Sequence, residues 1–253
     1  MTMRETALVT EPVAAPAIRF ETVCKRFDET PVLDAVSFTV LPGQVVCIAG
    51  PSGTGKTTLL RLVNALTPAD EGHIQVGPFT VTQPGIDVQA LRRYVGMVFQ
   101  RYSLFPHKSV LENLTMGPRQ VLRRPRGEAE DRAIDLLNRL EIAELRDRYP
   151  GELSAGQQQR VALVRALAMD PKILLLDEVT AALDPRMVDK VAELIRQMAA
   201  AGMTILASSH DMRFATICAD LLAQLDRGRL GPLLPPEKMG AEAMPGEPPA
   251  AGP

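Results

Sequence analysis

The chain has 253 residues, 46% of them apolar, and its 28 basic and 30 acidic groups leave a formal net charge of -2. That apolar content supports a large core and excludes disorder of the whole chain, while the near balance of charge argues against a dedicated nucleic-acid binder. Cys24, Cys47 and Cys218 form no Cys-x-x-Cys pair and only three histidines accompany them, so no zinc or iron–sulfur site is expected and the pattern suits a reducing compartment.

Residues 1–16 carry Pro12, Pro16 and scattered charges without an apolar run, so a flexible leader is expected rather than a signal peptide. The folded unit is expected over 17–230. Ile18, Phe20 and Val23 suggest a first strand, and Val32 to Val40 a second, antiparallel to it, closed by a turn at Leu41-Pro42-Gly43. Val45 to Ala49 is a short continuous apolar run, the pattern of a buried strand. A helix is expected over Thr57–Ala65, an edge or hairpin strand over Ile74–Val81 and a short strand over Val95–Phe99. Helices over 109–118, 128–140 and 154–169 follow without a strand between them, so 101–168 reads as an inserted helical lobe. Ile173–Leu176 and Met203–Ala207 are two more buried strands, with a helix over Asp189–Ala199 between them. Arg213–Ala219 reads as a short helix and Leu221–Leu225 as a last strand. Residues 231–253 contain four Gly and seven Pro and read as a loose tail. No run reaches the 18 apolar residues of a membrane-crossing helix. The alternation predicts an α/β fold with a mostly parallel sheet, an antiparallel β subdomain and the inserted lobe.

Three groups of residues carry chemistry. Gly50-Pro51-Ser52-Gly53-Thr54-Gly55-Lys56-Thr57 follows a buried strand and opens a helix, the setting that a G-x-x-x-x-G-K-[ST] phosphate loop requires. Its glycines let backbone N–H groups converge on a phosphate, Lys56 suits the β- and γ-phosphate oxygens, and the Thr57 hydroxyl suits magnesium. Asp177 and Glu178 end the strand Ile173–Leu176, where ligands of open α/β sheets bind. Asp177 is suited to the magnesium shell and Glu178 to polarising an attacking water. Read alone, His210 after the third buried strand suits either a structural position or a γ-phosphate sensor, and Ser154 is simply a helix N-cap.

Leu153-Ser154-Ala155-Gly156-Gln157-Gln158-Gln159-Arg160, shortly before the Asp-Glu pair, resembles the signature LSGGQQQR of ABC transporter ATP-binding subunits. The resemblance covers about 18–230 and implies a P-loop NTPase core that binds and hydrolyses ATP with Mg2+. It implies that Phe27 stacks on adenine and that Thr58 continues the phosphate loop. It also implies that Gln100 joins the magnesium site to the helical lobe, and that Ser154 and Gly156 face the ATP of an opposite subunit. Ala182-Leu183-Asp184-Pro185 resembles the loop that communicates across a dimer axis, and His210 matches the switch histidine. Gln100 to His107 with Val110-Leu111-Glu112-Asn113, Tyr149-Pro150 and His210 to Ala215 resemble the polar amino-acid uptake branch.

The implied partners are a second ATPase subunit (a homodimer), integral membrane permease subunits and, indirectly, a periplasmic or extracellular solute-binding protein, with no nucleic acid. The implied location is peripheral, at the cytoplasmic face of the cell membrane. The chain departs from the family pattern at Ala155, Val179 and Ala181. Ala155 is tolerable at negative φ and disruptive at positive φ; Val179, in place of a proline, is expected to loosen the loop carrying Glu178. These departures keep open an ABC ATPase of a non-amino-acid system, such as cell division or lipoprotein release, and a weakly hydrolysing clamp.

Overall fold

Strand β3 (Val45–Ala49) is apolar at every position because both of its faces are covered. Val45, Cys47 and Ala49 enter one hydrophobic cluster while Val46 and Ile48 enter a second on the other side of the sheet. The same split holds in β7 (Ile173–Asp177), with Leu174 and Leu176 on one side and Ile173 and Leu175 on the other. Strict alternation over two buried faces is what a parallel sheet between two layers demands. The computed structural model describes residues 15–239. The expectations for a flexible leader over 1–14 and a loose tail over 240–253 lie outside the described residues.

The main sheet runs in the order β10 (Arg229–Leu230), β9 (Leu221–Asp226), β3, β8 (Thr204–Ser208), β7, β6 (Val95–Val98). All neighbours are parallel except the β10–β9 hairpin. Strand β8 therefore lies between the strand that feeds the phosphate loop and the strand that ends in Asp177. A second sheet, β2 (Thr30–Val40), β1 (Ile18–Phe27), β4 (Glu71–Val76) and β5 (Phe79–Thr80), is antiparallel throughout. The segment expected as a strand over Ile74–Val81 is two strands turning at Gly77, which adopts φ +50.

Helix α1 (Lys56–Val63) follows β3, and α2 (Val88–Tyr94), a helix not expected from the sequence, precedes β6. Between β6 and β7 the described chain is helical: α3 (Val110–Gln120), α4 (Arg126–Arg139) and α5 (Ala155–Leu167), with two short 3-10 turns between α4 and α5. Helix α6 spans Pro185–Ala200, so it starts four residues before the expected Asp189. Asp184 accepts a hydrogen bond from the Met187 N–H and Pro185 takes the first helical position, a start that needs no apolar periodicity. Helix α7 spans Met212–Cys218.

The chain past Leu230 is not loose throughout. Leu234 exchanges backbone hydrogen bonds of 2.7 and 2.9 Å with Leu222, and Met239 packs against the main core. Order thus continues beyond the expected boundary at 230, because β10 pairs only with Leu225 and Asp226 and leaves Leu222 of β9 free to pair. Among the described residues no helix is long and apolar enough to cross a membrane.

Candidate active site

The phosphate loop is shaped by its glycines. Gly50, Gly53 and Gly55 have φ of 147, 82 and 105, where side chains with a Cβ are strained. Two are also sterically required. A Cβ on Gly50 would run into the Leu225 carbonyl oxygen, and one on Gly55 would lie 2.9 Å from the Val32 carbonyl oxygen. Gly55 is the N-cap of α1 and supplies no side-chain cap, so the first N–H groups of that helix keep their donor capacity. Thr54 Oγ1 donates to the Pro51 carbonyl at 3.0 Å and stiffens the turn.

Six of the candidate residues converge beyond the carboxyl ends of the parallel strands. Lys56 is 4% exposed and its ammonium donates to the Gly50 and Pro51 carbonyls at 2.8 Å each. It faces Glu178 Oε1 at 3.4 Å, so its three donors are engaged inside the chain. Thr57 Oγ1 donates to Asp177 Oδ1 at 2.9 Å. Gln100 Nε2 donates to Glu178 Oε2 at 2.9 Å, and His210 Nδ1 stands 3.9 Å from Glu178 Oε1. Asp177 is 2% exposed, whereas the His210 side chain is 59% exposed. Glu178 adopts φ +49, a left-handed conformation that a non-glycine residue holds only when its surroundings enforce it.

The remaining candidates sit apart from this cluster. Phe27 is 48% exposed at the end of β1, on the β1–β2 hairpin whose Val32 abuts Gly55. Its strand end is fixed by a residue the sequence did not flag: Asp70 accepts from Lys25 Nζ at 2.7 Å and from the Arg26 N–H at 2.6 Å. Those two hydrogen bonds hold the Asp70 carboxyl below the ordinary carboxylate range. Ser52 and Thr58 belong to the loop and to α1 and take part in none of the side-chain hydrogen bonds above.

Ser154 caps α5 reciprocally with Gln157, through bonds of 2.9 and 3.3 Å. Gly156 lies one residue into the helix, where a Cβ would be 2.8 Å from the Ala182 carbonyl oxygen. Neither is hydrogen-bonded to the cluster around Lys56 among the described residues. Ala155 is exposed and is absent from the residues with positive φ, so the helix start accommodates its methyl group. Val179 is 2% exposed within the main core. Its side chain thus packs into the core directly after Glu178. Ala181 is exposed.

Sequence reading also passed over Ser208, whose hydroxyl donates to Asp177 Oδ1 at 2.9 Å. The available signal was a polar residue at the end of an otherwise apolar buried strand. Burial pushes the thiol of Cys47 far up and that of Cys218 up to about 12, so both remain neutral thiols.

Comparison with known proteins identifies the family and the fold. The model of the family described as ABC transporter matches residues 33–181. The glutamine transport ATP-binding protein GlnQ of Geobacillus stearothermophilus is 44% identical over 221 residues, covering 87% of this chain and 91% of the relative. The L-cystine transport system ATP-binding protein TcyN of Escherichia coli is 44% identical over 220 residues, covering 85% and 88%. A solved dimeric ATP-binding cassette in a post-hydrolysis state, bound to ADP and Pi, superimposes with a TM-score of 0.79 at 29% identity, covering 86% of this chain and 98% of that one. The chain thus belongs to the ABC transporter family as one of its ATP-binding, ATP-hydrolysing subunits.

Proposed function

We propose that this subunit powers amino-acid import, working as a symmetric pair attached to membrane permease subunits, and that the residues gathered around Lys56 perform the hydrolysis. The observation that carries the chemical part is the convergence of Thr57, Asp177, Gln100, Glu178 and His210 on one buried lysine. The amino-acid part rests on relatives named for glutamine and cystine transport.

The residues suit ATP with Mg2+. The Thr57 hydroxyl and the Asp177 carboxylate, joined at Oδ1 by a 2.9 Å hydrogen bond that leaves Oδ2 without a described side-chain donor, are hard donors, and magnesium takes one or two such groups plus phosphate oxygens and waters. Bound magnesium supplies Lewis-acid neutralisation of phosphate charge. The backbone from Gly50 to Gly55, with the open end of α1, cradles phosphates, joined by Pro51, Ser52, Thr54 and Thr58. Lys56 exchanges its loop carbonyls for β- and γ-phosphate oxygens. Glu178 orients and polarises the attacking water, Gln100 reports the state of that carboxylate to the lobe, and His210 holds the γ-phosphate. Phe27 stacks on adenine. Ser154 and Gly156 complete the site of the opposite subunit, with backbone donors at the start of α5.

The lobe offers a place for a permease. A groove of about 310 Å³ is lined by Phe99, Phe105, Leu114, Met116 and Met169 among others. Phe105 is 39% exposed in it, beneath the Arg165 guanidinium at 5.9 Å. Arg165 also donates to the Ser103 carbonyl at 2.7 Å, tying the segment after Gln100 to α5. A push on the groove is thereby joined to Glu178 at one end and to the signature helix at the other. Attachment there gives a peripheral subunit on the cytoplasmic face.

The test is reconstitution of the chain with its permease in vesicles, with a solute-binding protein and labelled amino acids outside. ATP-dependent accumulation of an amino acid supports the reading. Vectorial transport of another solute class, or ATP turnover with no transport at all, overturns the import assignment.

A further inference from the structure

Ser208 is the last residue of β8, paired in register with Ile48 of the loop-feeding strand and with Asp177 of the acid-bearing strand. It is 1% exposed. Its hydroxyl donates to Asp177 Oδ1 at 2.9 Å, the oxygen that also accepts from Thr57. The same hydroxyl oxygen accepts from the Glu178 N–H at 3.3 Å, and the Ser208 carbonyl accepts from that N–H at 3.1 Å. One side chain therefore touches the carboxylate of one acid and the backbone of the next. It does so where Glu178 is held at φ +49.

We infer that Ser208 is a positioning residue for both acids, a deepening of the functional reading above that rests on the roles given there to Asp177 and Glu178. Two hydroxyls on Oδ1 fix the rotation of the Asp177 carboxylate, and no donor among the described side chains reaches Oδ2. Oδ2 is the oxygen left for a metal ion or its water. The bond to the Glu178 N–H helps hold the left-handed backbone that sends the Glu178 carboxylate to Gln100 and Lys56. A hydroxyl in this second layer acts on metal affinity and on the backbone without touching substrate.

The experiment measures Mn2+ binding to the ATP-loaded chain by electron paramagnetic resonance, beside ATP binding without metal and amide exchange at Glu178. Ser208→Ala is expected to weaken Mn2+ by roughly tenfold and to speed exchange of the Glu178 amide, with metal-free ATP binding retained. Ser208→Thr keeps the hydroxyl and should restore Mn2+ affinity, whereas the isosteric Ser208→Val should not. If Ser208→Ala loses metal-free ATP binding through misfolding, the Thr and Val pair carries the test. Equal Mn2+ affinity in that pair overturns the inference. Asp177→Asn separates the two readings: if it leaves Mn2+ affinity unchanged, the metal role of Asp177 is wrong. If Asp177→Asn weakens the metal and Ser208→Ala does not, only the positioning role of Ser208 fails.

Discussion

Two helices of this molecule begin at candidate nucleotide-binding residues, and they begin differently. Helix α1 starts at Gly55 with no side-chain cap, and its neighbours Lys56 and Thr57 are already wired to Glu178 and Asp177. Helix α5 starts at Ser154 with a closed capping box, and its first turn leans on the loop at Ala182. An uncapped helix start is an anion site in waiting, whereas a capped one has already given part of its donor capacity to its own side chains. The contrast teaches that the phosphate half, the loop and its acids, is wired together within one chain. The signature half is hydrogen-bonded to itself and, on the reading proposed above, acts on a nucleotide brought by the opposite subunit.

The largest expected effect tests whether these halves meet on one nucleotide. Glu178→Gln should lower ATP turnover by about 10²- to 10⁴-fold, the range for losing a general base. An ATP-bound pair should accumulate, visible by size-exclusion chromatography. Parent-rate turnover would remove Glu178 from the chemistry. Next, Gly50→Ala drives a Cβ into the Leu225 carbonyl at φ 147, which should cost about 1–3 kcal/mol by chemical unfolding and abolish nucleotide binding. Gly156→Ala meets the Ala182 carbonyl at 2.8 Å without adverse φ. It should destabilise by about 1–3 kcal/mol, leave ATP binding to the single chain intact and prevent the ATP-bound pair of the Glu178→Gln background. Loss of binding in the single chain would contradict the division into halves. Smallest of all, Ala155→Gly should reduce stability by about 0.5–1 kcal/mol through helix propensity and give no gain in turnover. A clear gain would mean that the methyl group at Ala155 obstructs closure.

The phosphate half was legible because its information is local. A buried strand, a glycine loop and a helix start are contiguous, and the apolar runs of β3, β7 and β8 can hardly be anything but covered strands. What stayed hidden depends on pairing across the chain. The bond from Ser208 to Asp177 spans 31 residues and joins two different strands. Lys25 would be expected at the surface, yet it is 7% exposed because Asp70 pairs with it across the β1–β4 junction. Helix α2 was missed because seven residues are too few for a periodic signal, although Asp87 caps it through the Ala90 N–H. Helix α6 was begun late because Pro185 reads as a breaker unless its place at the first helical position is recognised.

The strand order carries a consequence for how the protein comes into being. Strand β8 is synthesised after β3 and β7 yet lies between them, pairing with each. A nascent chain that has emerged only as far as Met203 holds the phosphate loop and the acid pair but lacks the strand that sets them side by side. The side-by-side arrangement of the loop and the acid pair therefore waits until β8 has left the ribosome. A product cut short before β8 is expected to lack that arrangement and, with it, ATP turnover.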